Sequence, residues 1–273
     1  GRYYALNEKI SYEVAFAIED HYKPRFSGDS LPRSTVGDIV AIADKIETLI
    51  GLFSIGEKPT GDKDPFALRR QVIGIIRILT EKNIGLNLNT IISESIQATK
   101  LVESKDLNSF IYDRLSNFFK DQGYAALDIE AVLAIESGLI NEIPPRLNAI
   151  KEFLLLSESE DLASANKRVG NILKKADVKS TLKVDQSLLK DDAEINLYKT
   201  LDLVDAESRK EYAAKNYSGS LKLLCKLKNP IDQFFKDVMV NDEDESLKMN
   251  RLALLEKLYS AMNLVADLSK LSS

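Results

Sequence analysis

Ser34-Thr35-Val36-Gly37-Asp38-Ile39-Val40-Ala41-Ile42-Ala43-Asp44-Lys45-Ile46-Glu47-Thr48-Leu49-Ile50-Gly51-Leu52-Phe53 decides the fold class of this chain. Val36, Ile39, Val40, Ala43, Ile46, Leu49, Ile50 and Phe53 return at steps of three and four. That spacing lays one apolar stripe along a helix of about five turns, whereas a half-buried strand alternates every second residue. Ser34 or Thr35 supplies a hydroxyl that can cap the first turn.

The same period continues outward. Apolar stripes run over Leu68 to Leu79, Leu107 to Phe119, Leu127 to Leu133, Leu147 to Leu156 and Leu162 to Ala176. Further helices are expected around Leu188 to Ala214, Ser218 to Leu227, Ile231 to Val240 and Leu247 to about Leu268. Ser180 to Val184 is the only short alternation, and it reads as loop. The chain is therefore expected to be all-α, a helical bundle region followed by a second helical bundle.

Breaks give the organisation. Ser27 to Pro32 is a turn cluster, and Ser54 to Pro65 is a longer polar loop. Ile143-Pro144-Pro145 interrupts the middle, because proline lacks the helix donor and restricts the residue before it. Asn241 to Ser246 is an acidic connector. The expected division is 1–150 and 151–273, in line with about 150 residues per domain. Asp64 and Pro65 are placed to cap and open the helix that follows them.

Composition bounds the chemistry. The 273 residues are 44% hydrophobic and 29% charged, ordinary for a globular protein. With 37 basic and 42 acidic residues the net charge is -5, so bulk charge does not draw this chain to nucleic acid. No apolar run approaches the ~20 residues a membrane span needs, and no membrane partner is expected. The start, Gly1-Arg2-Tyr3-Tyr4, has neither an initiator methionine nor a signal-peptide pattern, and it reads as cut from something longer.

The single cysteine, Cys225, excludes a disulfide framework and a thiolate metal cluster; a small buried hydrophobe in a reducing cytoplasm is the plain reading. The single histidine, His21, followed by Tyr22 with Asp44 on the next helix, resembles the HD phosphohydrolase arrangement only faintly. One imidazole cannot build that metal shell. Gly56, Gly61 and Lys63 nearly spell a phosphate loop. Asp62 intrudes, Asp64 replaces the hydroxyl residue, and a helix precedes the loop where the motif needs a strand. No catalytic and no metal residues are therefore assigned.

One helix stands out. Ala163 to Ala176 carries four cations and no acid. Leu162, Ala165, Val169, Ile172, Leu173 and Ala176 share one face, leaving Lys167, Arg168, Asn171, Lys174 and Lys175 on the other. Such a face can neutralise phosphates while its amide and guanidinium reach base edges. A solvated lysine-rich surface is the plain alternative.

Several blocks go beyond pattern. Gly28-Asp29-Ser30-Leu31-Pro32, Ala41 to Leu49, Gly56, and Gly61-Asp62-Lys63-Asp64-Pro65-Phe66-Ala67-Leu68-Arg69-Arg70 resemble the β subunit of bacterial glycyl-tRNA synthetase. Ala165 to Leu173, Asp232 to Val240, Asn250 to Leu255 and Val265 to Leu268 resemble its C-terminal region, so the likeness covers essentially the whole chain. It implies the end of a degenerate HD-like domain and following helices, then an α-helical anticodon-binding domain. It also implies an α2β2-type assembly in which the α subunit holds ATP and Mg, makes glycyl-adenylate, and depends on the β subunit for tRNA(Gly). On that footing Lys167, Arg168, Asn171, Lys174 and Lys175 are the expected tRNA contacts, with Arg251 and Lys257 as supports. Lys63, Arg69 and Arg70 are a possible second contact with tRNA or another domain, or else the arginines pair with nearby acids. The fragment is expected to be cytoplasmic, without cofactor, and non-catalytic alone. The alternatives are a helical module that only docks the α subunit, and a cryptic phosphohydrolase.

Overall fold

The structure, a computed structural model, describes residues 1–176 and 183–272. Among these it is helical, with no sheet and only two isolated bridges, Thr60 to Lys63 and Asn87 to Leu139. The loop expected from Ser180 to Val184 falls largely outside the described residues. Two compact units form: Gly1–Gly123 with Ser137–Pro144, and Tyr124–Glu136 with Pro145–Ser273. The segment 124–136 thus goes with the second unit, a return that a single linear boundary does not express.

The first unit contains α1 (Arg2–Asn7), α2 (Tyr12–Asp20), α3 (Thr35–Ser54), α4 (Leu68–Glu81), α5 (Leu88–Thr99) and α6 (Lys105–Asp121). Ser34 caps α3, its hydroxyl accepting from the Gly37 amide. Helices α3, α4 and α6 enclose Ile46, Phe53, Ile76, Leu79, Leu115 and Phe119, all but closed to solvent.

The α3 stripe is rotated from the expected one. Ile39, Val40 and Ala43 face outward, while Gly37, Asp38, Ala41, Ile42 and Lys45 go inward with Ile46, Leu49, Ile50 and Phe53. The two polar residues are accommodated by partners from elsewhere. Lys82 bonds Asp38 at 2.9 Å, and the Lys45 ammonium donates to the His21 carbonyl at 2.9 Å. Burial pushes the Lys45 amine down from its ordinary value.

The start of α4 also departs from expectation. Asp64 does hold the helix end, its carboxylate accepting from the Leu68 and Arg69 amides at 2.8 and 3.0 Å. It does so from outside the helix, because Ala67 is the capping residue, in a left-handed conformation, and Pro65 precedes the helix. Near the N-terminus, Asp20 is buried under a two-pronged bond from the Arg33 guanidinium, the Arg33 amide and Lys23. Burial raises its carboxyl, but these donors outweigh it and bring it to about 2.

The second unit contains α7 (Ala126–Leu133), α8 (Ile143–Phe153, from Pro145 onward), α9 (Ser159–Ala176), α10 (Asp192–Ala213), α11 (Tyr217–Leu223), α12 (Lys228–Asp237) and α13 (Glu245–Met262). Pro144 and Pro145 do not end a helix; they occupy the first turn of α8, where a missing N–H costs nothing. The last described turn, Leu268–Leu271, returns to α7: the Asp267 amide donates to the Ala131 carbonyl, and Lys270 pairs with Glu130 at 2.8 Å.

Candidate nucleic-acid interface

Helix α9 has two chemically distinct faces. Leu162, Ala163, Asn166 and Val169 are fully buried. Asn166 is the surprise among them. Its side chain exchanges both amide bonds with Asn263, at 2.7 and 3.2 Å, and Asn263 in turn accepts from the Leu268 amide. Gly170 brings α9 close to α13, since a Cβ there would lie 3.1 Å from the Tyr259 ring.

The opposite face presents Lys167, Arg168, Asn171, Lys174 and Lys175, all exposed as the sequence suggests. Lys167 to Lys175 spans about 12 Å along the axis, so the cations form a row. None has a carboxylate partner among the described residues. Lys167 reaches only the Ser272 carbonyl at 3.5 Å, and the Arg168 guanidinium lies over Phe235 of α12, 3.9 Å from the ring centre.

Two shallow hollows flank this row and share Ser164 and Arg168. One, of about 420 Å³, is closed by Ile231, Asp232, Phe235 and Lys236; the other includes Lys167, Asn171, Ile172 and Lys175. Phe235 and Lys236 were not singled out from sequence. The signal was there in Phe234-Phe235, of which Phe234 is buried and Phe235 is left at the surface.

Helix electrostatics explain part of this charge. Glu160 and Asp161 open α9, and Lys174 and Lys175 close it, matching the helix dipole at both ends for about 0.3–1 kcal/mol each. Asp161 is engaged by Lys228 at 3.0 Å, a bond that raises the lysine. Lys167 and Arg168 lie beyond the reach of either end, and the dipole does not account for them.

The other expected residues lie elsewhere. Arg251 is interior, 5% exposed. Its guanidinium bonds Glu194, Asp242 at 2.7 Å, Asp191 at 3.0 Å and the Met239 carbonyl at 2.8 Å. Burial works against its charge, and Glu194 and Asp242 more than restore it. Every prong of the fork is taken, so Arg251 ties the start of α10 and the acidic connector to α13. Lys257 is half-buried, paired with Asp202 at 2.6 Å and lying over Tyr198; it lines a different hollow from the α9 cations.

In the first unit Lys63 sits exposed on the loop bridge with Thr60. Arg69 pairs with no acid among the described residues; its guanidinium donates to the Gly61 carbonyl. Arg70 is exposed and has no ion-pair partner among the described residues. His21 is engaged locally, through Ile18 and by stacking on Tyr22. Among the described residues no three of His, Cys, Asp and Glu are grouped to hold a metal. No helix is long and apolar enough to cross a membrane.

Comparison with known proteins bears on both units. A family model described as glycyl-tRNA synthetase beta subunit matches residues 1–134, and one described as DALR anticodon binding domain matches 162–268. The whole chain is 53% identical over 278 residues to the glycine–tRNA ligase beta subunit of Methylobacillus flagellatus, and 48% over 291 to that of Nitrosomonas europaea. A Janthinobacterium relative of the same name is 50% identical over 276 residues. The chain spans 39%, 41% and 39% of these relatives' lengths, about two fifths. The chain belongs to the glycyl-tRNA synthetase β subunit family, and its second unit carries the DALR anticodon-binding domain.

Proposed function

We propose that this chain is the tRNA-recognition part of a two-subunit glycine–tRNA ligase, and that the outer face of α9 binds the anticodon arm of tRNA(Gly). The observation that carries the reading is the row of Lys167, Arg168, Asn171, Lys174 and Lys175, exposed and without a carboxylate partner among the described residues, inside the residues that match the anticodon-binding family. Lysines in such a row neutralise backbone phosphates, while Arg168 and Asn171 carry the donors and acceptors suited to base edges. Phe235 lies under the Arg168 guanidinium, and this cation–ring contact lowers the cost of fixing its position. Chemistry is left to an α subunit in an α2β2-type assembly, which binds glycine, ATP and Mg in the cytoplasm; this chain holds the tRNA that receives glycine.

Titration of the complete chain with tRNA(Gly), and with an anticodon-altered version, at several salt concentrations tests the reading. Lys167→Glu with Lys174→Glu is expected to abolish binding that in the native chain falls steeply with salt. Asn171→Ala is expected to narrow the preference for the native anticodon. If the charge reversals leave tRNA binding intact and instead weaken association with the α subunit, α9 is a docking surface and the RNA reading fails.

A further inference from the structure

The arginines of the first unit fall into two groups. Arg2, Arg25, Arg33 and Arg77 each bond a carboxylate, on Glu19, Asp29, Asp20 and Glu81. Arg69, Arg70 and Arg114 have none among the described residues. These three converge on one hollow of about 310 Å³, together with Arg77, Phe26 and Asn117. The acid of that lining, Asp121, forms no ion pair with any of them.

Arg114 is the most telling. Its guanidinium lies 5.8 Å from the centre of the Phe110 ring, makes no hydrogen bond, and has its Nε shut away from water with no acceptor. That nitrogen is itself out of a ligand's reach, but no protein acceptor anchors the guanidinium among the described residues, and its outer nitrogens remain for an incoming group. Helix α4 adds Arg70 and Arg77 seven residues apart, two turns on one side of the helix. Arg77 is already held by Glu81 and the Asp29 carbonyl, and Arg69 by Gly61, which leaves Arg70 and Arg114 to meet an incoming group. Like charges gathered in one hollow repel until an anion enters. A guanidinium fork matches two oxygens of a phosphate. Phe26, 57% exposed at the same rim, supplies the flat apolar surface on which a nucleobase stacks, which an acidic peptide does not require.

We propose that this hollow is a second RNA-binding site, taking a backbone phosphodiester between Arg70 and Arg114 with a neighbouring base or ribose against Phe26. The inference rests on the reading that the chain binds RNA, and it adds a contact in the first unit separate from α9.

Arg70 is exposed and has no ion-pair partner among the described residues, so Arg70→Ala leaves the fold intact, and Arg114→Lys keeps the charge while removing the fork. The complete chain is titrated with tRNA(Gly) and its anticodon-altered version across a salt series. Arg70→Ala is expected to weaken both tRNAs by the same factor and to flatten the slope of log K against log salt by about 0.9, one phosphate contact. Phe26→Ala is expected to lower affinity at every salt concentration without changing the slope. Unchanged affinity and slope for Arg70→Ala and Arg70→Glu, alongside a loss from Lys167→Glu with Lys174→Glu, overturn this inference and leave the α9 reading standing. Loss from the hollow variants with none from the α9 variants does the reverse. Loss of α-subunit association with RNA binding retained means that a protein carboxylate fills the hollow, and the inference fails.

Discussion

Arg251 on α13 and the cations of α9 carry the same charge in the same unit, yet the fold treats them in opposite ways. Around Arg251 it assembles Glu194, Asp191, Asp242 and a carbonyl, so that a buried guanidinium is fully answered. Around Lys167, Arg168, Lys174 and Lys175 it supplies an aromatic ring, one distant carbonyl and, among the described residues, no carboxylate partner. A cation inside is tolerable only with its partners, whereas a cation outside keeps its water and needs none. The difference separates residues that build the protein from residues free to meet a phosphate, and it is invisible in a list of basic positions.

The largest effect expected from this contrast is at Arg251. Arg251→Ala leaves the Glu194 carboxylate buried without its main partner, and should cost about 3–5 kcal/mol in chemical or thermal denaturation. A change below about 1 kcal/mol would put Arg251 with the surface cations and erase the distinction. Asp20 extends the same logic to the first unit. Its carboxyl sits at about 2 in the fold against an ordinary 3.8, so the folded state holds the ionised form more strongly. That contribution, about 2 kcal/mol at about 1.4 per pH unit, is complete above pH 4 and is lost as the pH falls through 4 towards 2. Asp20→Asn should remove most of that acid-dependent loss; an unchanged acid profile would deny the pairing.

Within α9 the contrast sharpens to a single helix. Asn166→Ala removes the amide pair on the inner face but leaves Asn263 bonded to Leu268 and Tyr259. It should destabilise by about 1 kcal/mol and barely touch RNA affinity. Lys167→Ala, on the outer face and beyond the reach of the helix dipole, should change stability by less than about 0.5 kcal/mol. If Lys167 costs more than Asn166, that lysine serves the fold.

The reach of the sequence follows the same division. The outward cations of α9 are legible because a helix with one apolar side leaves its charged side to water, and nothing else had to be known. Arg251 is not, since its partners come from residues 191, 194, 239 and 242, brought together only by tertiary packing. The α3 stripe shows the limit of apolar periodicity. Asp38 and Lys45 enter the core because Lys82 and the His21 carbonyl await them, and the turn of the helix that admits them sends Ile39 and Val40 outward. Helix α5 escapes the pattern because Asn, Thr, Ser and Ile over Leu88–Thr99 are weak helix formers, and packing on α3 and the Asn87 cap decide the outcome. Asn166 belongs to neither face in the sequence pattern, and its burial is explained only by Asn263 opposite it. The family blocks reach further than any of these patterns, but a block does not say which of its residues face RNA: Lys167 and Arg251 both come from such blocks.

On the proposed reading, α9 meets the RNA backbone through cations that have no carboxylate partner among the described residues. The most direct test is the salt dependence of tRNA(Gly) binding by the complete chain beside a Lys167→Ala, Lys174→Ala, Lys175→Ala variant that remains folded under the same conditions. Three lost phosphate contacts should flatten the slope of log K against log salt by about two to three. A variant that binds with the native slope would show that these lysines face water in the complex as they do in the free chain, and would contradict the account.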